Sequence, residues 1–327
     1  MALQTAITLL SKETMRIFIA ITDNNWYHLH ASRTNVEEVN FWRPSPAANF
    51  VALQPGELML FKLHAPLNFI AGGGFFTRFL HLPIDLAWDA FGEGNGVASL
   101  QEMRERISKY RHIKLNPGNN PNVGCIMLAE PFFWARELWI PTPPEFSRYN
   151  QQGQGFDSES GPGQSLWRAV SERLRYAPPP DVNTAIATMA AIESAGVGRP
   201  KIVLPRLGQG SFRVLLTDFY DRRCALTGER TLPVLDAAHI TPYCISKRHE
   251  LSNGLLMRSD LHRLFDGGYL TVDPVERKVI VSNRIRQEFE NGKEYYRLEG
   301  RVIREPHDLT IRPLSENLEY HAYNVFR

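Results

Sequence analysis

"LDAAHITPYCISKRHELSNGLLMRSDLHRLFDGG", residues 235–268, decides how the C-terminal part of this chain folds. "VLDAAHI" is a short apolar run that predicts a strand ending at His239. "NGLLMR" predicts a turn and a second short strand, because Asn-Gly is a turn signal in its own right. "SDLHRLFDGG" predicts a helix with Ser259 as its cap, Leu261, Leu264 and Phe265 facing inward, and Gly267 as its stop. The order is strand, loop, strand, helix. One imidazole, His239, sits on the first strand, the other, His262, on the helix, and the amide of Asn253 lies between them.

That combination of side chains suits hydrolysis of a phosphodiester. The reaction needs a base to deprotonate water and a cation to stabilise charge on the phosphoryl group and the leaving oxygen. Neutral histidine, whose proton affinity lies near working pH, suits the base. A second histidine with a carboxylate can hold a metal, and an asparagine can hydrogen-bond the loop that orients the base.

Upstream, "SFRVLLTDFYDRR" has helical spacing, with Phe212, Leu215, Leu216 and Phe219 on one face. The "GQG" before it lacks the rest of a dinucleotide fingerprint. Downstream, "YLTVDPVERKVIVS" predicts a hairpin turning at Asp273-Pro274. Residues 199–230 carry seven basic side chains (Arg199, Lys201, Arg206, Arg213, Arg222, Arg223, Arg230) against three acidic ones. Such a stretch can grip phosphates or form a solvated surface.

The stretch "HITPY…NGLLMRSDLHRLFD" resembles the HNH endonuclease motif on a ββα-metal finger. The wider run from "RLGQGSF" through "CALTGERTLPVLDAAHITPY" is similar to the HNH subfamily of bacterial restriction-type nucleases. The resemblance covers roughly 200–300. It implies that His239 is the general base, that Asn253 braces the loop carrying it, and that His262 is a metal ligand on the helix. One departure stands out. Many HNH sites place Asp or His directly before the base, where this chain has Ala238. The nearest carboxylates are Asp236, Asp260 and Asp266. Asp236 ranks first as the second ligand, although on a flat strand it points away from His239 and a bulge would be needed to turn it. Asp260 is the other choice, and Asp266 can simply close the helix end. A sparse N/O site of this kind fits Mg²⁺ or Mn²⁺, with Zn²⁺ or Ni²⁺ open. Arg223, Arg258 and Arg263 are the candidates for phosphate contact.

The N-terminal part reads differently. "RIFIAIT", "FVAL", "LMLFKL", "FIAGGGFF" and "GCIMLAEPFFW" predict strands, with turns or bulges at "QPGE" and "GGG". "SLQEMRERISKYR" predicts a helix capped by Ser99, with Met103, Ile107 and Tyr110 on one face. "NQQGQGFDSESGPGQ" predicts a loop, and "SLWRAVSERL" a short helix. The series "FIAITDNNWY…EVNFWRPSP…PGELMLFK…AGGGFF" resembles the PUA-like barrels, a group that includes the EVE and SRA readers of modified bases. The resemblance implies a pocket for a flipped base, for which Trp26, Tyr27, Asn40, Trp42 and Phe76, with Phe75 beside them, are candidates. Trp26 and Trp42 lead, since both sit next to turn signals. The bland reading makes most of these aromatics barrel core. Lys62, His64 and Arg78 are candidates for phosphate contact.

Composition bounds the rest. The chain has 327 residues, enough for two domains, with 43% hydrophobic and 22% charged residues and a net charge of +2. No run approaches the roughly 20 apolar residues of a membrane helix. The opening "MALQTAITLLSKET" lacks the basic start and cleavage site of a signal peptide. Three scattered cysteines, Cys125, Cys224 and Cys244, fit a reducing cytoplasm and exclude a four-cysteine zinc site, and Cys224 and Cys244 are expected to be buried. The expected organisation is α+β: an extension at 1–14, a PUA/EVE-like barrel with peripheral helices at 15–180, a linker at 181–200 and a ββα-metal HNH nuclease domain at 201–327. The expected function is a metal-dependent DNA endonuclease of restriction type, cytoplasmic, acting on double-stranded DNA that carries a modified base. One finger per chain makes a homodimer plausible for cutting both strands. The alternatives are a modified-DNA or RNA-binding protein with an inactive finger, and an RNA-processing nuclease.

Overall fold

The computed structural model describes residues 15–45, 49–116, 118–147, 149–150, 152–176 and 207–327. The expected extension at 1–14, the linker at 181–200, and Arg199, Lys201 and Arg206 of the basic stretch lie outside these residues. The chain divides into two compact units, 1–206 and 207–327.

The first unit is built on a seven-stranded sheet. Its strands are β1 (Arg16–Thr22), β2 (Glu38–Arg43), β3 (Leu58–Leu63), β4 (Phe69–Pro83), β5 (Asn122–Phe133), β6 (Ile140–Pro141) and β7 (Gly153–Asp157). Their order is β2-β5-β4-β3-β1-β7, with β6 paired to β4. The path is open at β2 and β7, so among the described residues the sheet does not close into the expected barrel. β1 runs parallel to β3, and the other pairs are antiparallel. β3 is buried at every position because both faces are covered. Leu58 and Leu60 join Ile17, Ile19 and Phe75 in one core, to which helix α4 adds Leu166, Val170 and Leu174. Met59, Phe61 and Leu63 join Trp26, Tyr27, Ala71 and Phe76 in a second core.

The helices of this unit are α1 (Asn24–Ala31), α2 (Ile84–Phe91), α3 (Leu100–Arg111) and α4 (Gly161–Tyr176). At α3 the cap forms as expected: the Glu102 N–H donates to Ser99 Oγ at 3.2 Å, and the Glu102 carboxylate accepts the Ala98 N–H at 2.9 Å. Met103 and Ile107 are buried there, whereas Tyr110 is half exposed. Two further expectations change: "FVAL" is irregular rather than a strand, and the predicted loop at 150–164 contains β7 and the start of α4. Of the turn or bulge expected at "GGG", the bulge is what forms: it lies inside β4, where the register shifts between Gly73 and Phe75 and a Cβ on Gly72 would meet the Phe132 carbonyl oxygen at 2.2 Å. Only glycine permits that approach.

The second unit begins with α5 (Gln209–Phe219), whose buried face includes Phe212, Leu215, Leu216 and Phe219. The antiparallel pair β8 (Leu235–His239) and β9 (Gly254–Arg258) follows, with the short helix α6 (Tyr243–Ser246) between them and α7 (Ser259–Asp266) directly after β9. β10 (Leu270–Val272) and β11 (Val279–Val281) form the expected hairpin, with Asp273 Oδ1 accepting the N–H groups of Val275 and Glu276 at its turn. Helices α8 (Arg284–Phe289), α9 (Lys293–Tyr296) and α10 (Ser315–Asn324) complete it. His321 of α10 stacks on Phe265 of α7 at 3.5 Å and 13°, with its nitrogens 2.8 Å from Thr271 Oγ1 and 3.0 Å from the Phe265 carbonyl oxygen. This buried contact fixes α7 from behind. Ser259 is not the cap of α7 but its first residue, and its hydroxyl donates to the Val234 carbonyl at 3.2 Å. Cys125 and Cys224 are buried, whereas Cys244 is exposed. No helix among the described residues is long and apolar enough to cross a membrane.

Candidate active site

His239 ends β8 opposite Gly254, the first residue of β9. A Cβ on Gly254 would meet Leu216 at 2.5 Å and Phe212 at 2.8 Å. The missing side chain therefore lets α5 press onto the strand pair, and Phe212 stacks on the His239 ring at 4.3 Å and 9°. Burial pushes the proton affinity of His239 down to about 4, and the nearby His249 and His262 push in the same direction. His239 is therefore neutral at pH 7, the form a base requires.

Asn253 is buried and serves the segment that leaves β8. Its Oδ1 accepts the Thr241 N–H at 2.8 Å, its Nδ2 donates to the Thr241 carbonyl at 2.9 Å, and its own carbonyl accepts the Ile240 N–H at 2.9 Å. The amide thus ties the residues that follow His239 to the start of β9.

His262 projects from α7, half-buried, between two carboxylates. Its Nδ1 lies 3.6 Å from Asp236 Oδ2 and its Nε2 lies 3.4 Å from Asp266 Oδ2. β8 reaches this arrangement without a bulge, since its pairing with β9 is regular from Leu235 to His239. Burial raises the Asp266 carboxyl, and His262 partly offsets that. The two aspartates face opposite nitrogens of one ring and do not converge. Accordingly, among the described residues no three His, Cys, Asp or Glu side chains form a ready metal site.

Asp260 is engaged elsewhere: Arg258 holds it with a two-pronged pair, Nε to Oδ1 at 3.0 Å and Nη2 to Oδ2 at 2.5 Å. Those hydrogen bonds lower the Asp260 carboxyl and raise the Arg258 guanidinium. The pair satisfies itself, which leaves both Asp260 as a ligand and Arg258 as a phosphate contact less free than expected. Arg263 is exposed, Arg223 is partly exposed, and neither makes an ion pair among the described residues.

His249 carried no expectation, because it lies in the loop between two predicted strands. Its Nδ1 is 3.0 Å from His239 Nε2, and Tyr243 stacks on its ring at 4.4 Å and 15°.

In the first unit, four of the five base-pocket candidates are core residues. Trp26, Tyr27, Asn40 and Phe76 are each 5% exposed or less. Trp26 does not border a loop but sits in α1, whose cap Asp23 accepts the Trp26 N–H at 2.9 Å and turns the indole inward. The Tyr27 hydroxyl lies 2.9 Å from the Ala71 carbonyl and 3.1 Å from that of Trp134. Asn40 Nδ2 donates to Asn95 Oδ1 at 2.9 Å. Trp42 is half-buried and its Nε1 donates to the Asn95 carbonyl at 2.8 Å. Phe75 is buried, Lys62 is buried with its Nζ donating to Asn68 Oδ1 at 3.0 Å, His64 is exposed and Arg78 is partly exposed. The sequence missed His30, which is fully buried against Trp26 and Phe133. Among the described residues, both His30 nitrogens and Trp26 Nε1 lack hydrogen-bond partners.

Residues 224–273 match the HNH_2 family, described as HNH endonuclease. The match takes in β8, β9, α7 and β10. No curated protein matches the chain. Among solved structures, the crystal structure of a mutant ZmASCH protein from Zymomonas mobilis aligns with 46% of this chain and 96% of its own. It is 8% identical with a TM-score of 0.27, a likeness too low to carry an argument.

Proposed function

We propose that the second unit is a metal-dependent DNA endonuclease that hydrolyses phosphodiester bonds. The observation that carries this reading is the arrangement around β8: His239 neutral at the strand end, Asn253 clamping the next residues, and His262 of α7 beside Asp236. Ala238 and Asp236 lie on the same side of the strand, two residues apart. Ala238 is fully buried, whereas Asp236 reaches out to His262, so Asp236 takes the place that many HNH sites give to the residue before the base.

The donor set suits a hard or borderline divalent ion: one imidazole nitrogen and one carboxylate oxygen, both partly exposed, with the remaining positions left to water and phosphate. Mg²⁺ or Mn²⁺ fits best, with Zn²⁺ or Ni²⁺ as the other choices. Bound by His262 and Asp236, it would supply electrostatic stabilisation of the phosphoryl and leaving oxygens. His239 takes the proton of the attacking water, and Phe212 behind it keeps the ring dry and fixed. Arg263 and Arg223 hold the phosphate diester. Attack on phosphorus with departure of the 3′-oxygen leaves a 5′-phosphate and a 3′-hydroxyl.

The first unit, in this reading, selects the DNA through a modified base, which makes the protein a cytoplasmic restriction enzyme active against modified phage DNA and able to pair as a homodimer. Its support is the resemblance to PUA-like readers and the nitrogens of Trp26 and His30, unpaired among the described residues and set among Phe41, Phe61 and Phe133. The edge of a flat heterocycle would satisfy them once the cluster opens. The test is cleavage of matched DNAs carrying cytosine, methylcytosine, hydroxymethylcytosine or glucosylated cytosine, with Mg²⁺ or Mn²⁺. Wild type is expected to cut at least one of them and His239→Ala none. If wild type cuts no better than the variant on every substrate, the enzyme reading is wrong.

A further inference from the structure

His239 presents one nitrogen to His249 and leaves the other open. Its Nε2 lies 3.0 Å from His249 Nδ1, while its Nδ1 has no hydrogen-bond partner among the described residues. Both rings are held from outside the pair. Phe212 lies flat on His239 at 4.3 Å, and Tyr243 lies flat on His249 at 4.4 Å. The two imidazoles meet at 48°, a tilt that brings an edge nitrogen of each together rather than their faces.

A hydrogen bond between two neutral imidazoles needs one N–H and one lone pair, so the pair has two forms. In one, His239 carries its proton on Nδ1 and accepts from His249, which leaves no lone pair to take a proton from water. In the other, His239 donates its Nε2–H to His249 Nδ1 and keeps the Nδ1 lone pair free.

We propose that His249 is a positioning residue for His239: it accepts the Nε2–H of His239 and so holds the base in the tautomer and orientation in which Nδ1 faces the attacking water. This rests on the reading of His239 as the base given above. When Nδ1 takes the proton, His239 becomes a cation whose Nε2–H still donates to His249, and the proton then leaves to solvent. The acceptor is neutral, so it orients the base without raising its proton affinity as a carboxylate would. Partial burial keeps His249 itself neutral and able to accept.

The test uses the full-length protein with His249→Phe and His249→Asn. Phenylalanine keeps a flat ring against Tyr243 and removes the acceptor; asparagine restores an acceptor close to the Nδ1 position. The expected result is a fall in kcat on the order of 10- to 100-fold for His249→Phe, with KM for DNA and bound metal unchanged, and substantial recovery in His249→Asn. A structural role alone would not produce that split, and thermal melts establish that both variants fold. Imidazole nitrogen NMR of His239 reads the tautomer without any cleavage. Wild type is expected to show Nε2–H with a free Nδ1, and His249→Phe a mixture. Finding Nδ1–H in wild type overturns the proposal, as does an unchanged kcat in His249→Phe or the loss of a bound metal ion from it. If wild type cuts no DNA but shows the Nε2–H tautomer that His249→Phe loses, the orienting contact stands and the nuclease reading is what fails.

Discussion

Asn253 closes two hydrogen bonds on Thr241, accepting its N–H at 2.8 Å and donating to its carbonyl at 2.9 Å. The site is buried, so water cannot replace either bond. Asn253→Ala leaves both Thr241 groups unpaired and is expected to cost about 1–3 kcal/mol of stability in urea unfolding. Asn253→Asp keeps the acceptor but sets a carboxylate oxygen against the Thr241 carbonyl. It is expected to lose at least as much stability as the alanine variant, and cleavage with it. An aspartate variant as stable and active as wild type would show that the clamp does not hold the base.

Gly254 opposes His239 and lies under Phe212 and Leu216. The backbone is ordinary there, with φ of −132°, so the constraint is space and not conformation. Gly254→Ala is expected to push α5 off the strand pair, costing about 1–3 kcal/mol as an overpacked core position does. The Phe212–His239 stack should loosen at the same time. Thermal unfolding measures the first effect and the His239 ring proton shifts the second; an unshifted midpoint would mean that α5 gives way freely.

The finger was legible because its signals are local: a strand run, an Asn-Gly turn and a helix stripe fix β8, β9 and α7 within a few residues of where they form. The site was legible to the same depth. His239, Asn253 and His262 were readable as residue types in order, and Asp236 as the nearest carboxylate; the flat-strand argument set it away from His239, and the regular pairing of β8 keeps it there without a bulge. What that argument could not supply is the contact Asp236 makes instead, with His262 of α7 at 3.6 Å. His249 was invisible, since nothing in a loop sequence announces which ring it will touch. The first unit was harder. Aromatic residues near turn signals look alike whether they line a pocket or a core. Asp23 began a helix that the sequence did not advertise and took Trp26 and Tyr27 inward with it. Closure of a sheet is a long-range property, and no strand of this one states whether its edges meet.

Buried His30 makes the first unit sensitive to acid. Burial, helped by Arg33, pushes its proton affinity down to about 3. In the unfolded chain it titrates near the ordinary value of about 6.5. Between those values the unfolded state binds a proton that the native state refuses. Stability is therefore present above about pH 6.5 and is lost as pH falls toward 3. One such group costs about 2 kcal/mol at pH 5 relative to pH 7.5. Urea unfolding at those two pH values is expected to show this loss in wild type and a smaller one in His30→Leu. Equal losses in the two proteins would mean that His30 is protonated, or hydrogen-bonded, in the native state.

His262 faces Asp236 with one nitrogen and Asp266 with the other, so the two carboxylates cannot play the same part. An imidazole ligand binds metal through one nitrogen and commonly donates its other N–H to a carboxylate that fixes its tautomer. Asp236 lies on the same side of β8 as the ligand position of many HNH sites, so in the proposed reading it is the metal partner and Asp266 the acceptor of the other N–H. Three variants separate these parts when Mn²⁺ affinity is measured by calorimetry on the intact protein. His262→Ala and Asp236→Ala each remove a proposed ligand and are expected to abolish measurable binding while duplex affinity in the absence of metal stays near wild type. Asp266→Asn leaves the ligands in place and removes only the charge that steadies the ring, so binding should weaken about 10- to 100-fold. The reverse order, with Asp266→Asn losing binding and Asp236→Ala keeping most of it, would exchange the two nitrogens and place the metal at the C-terminal end of α7. Unchanged affinity in His262→Ala would remove the imidazole from the metal site altogether.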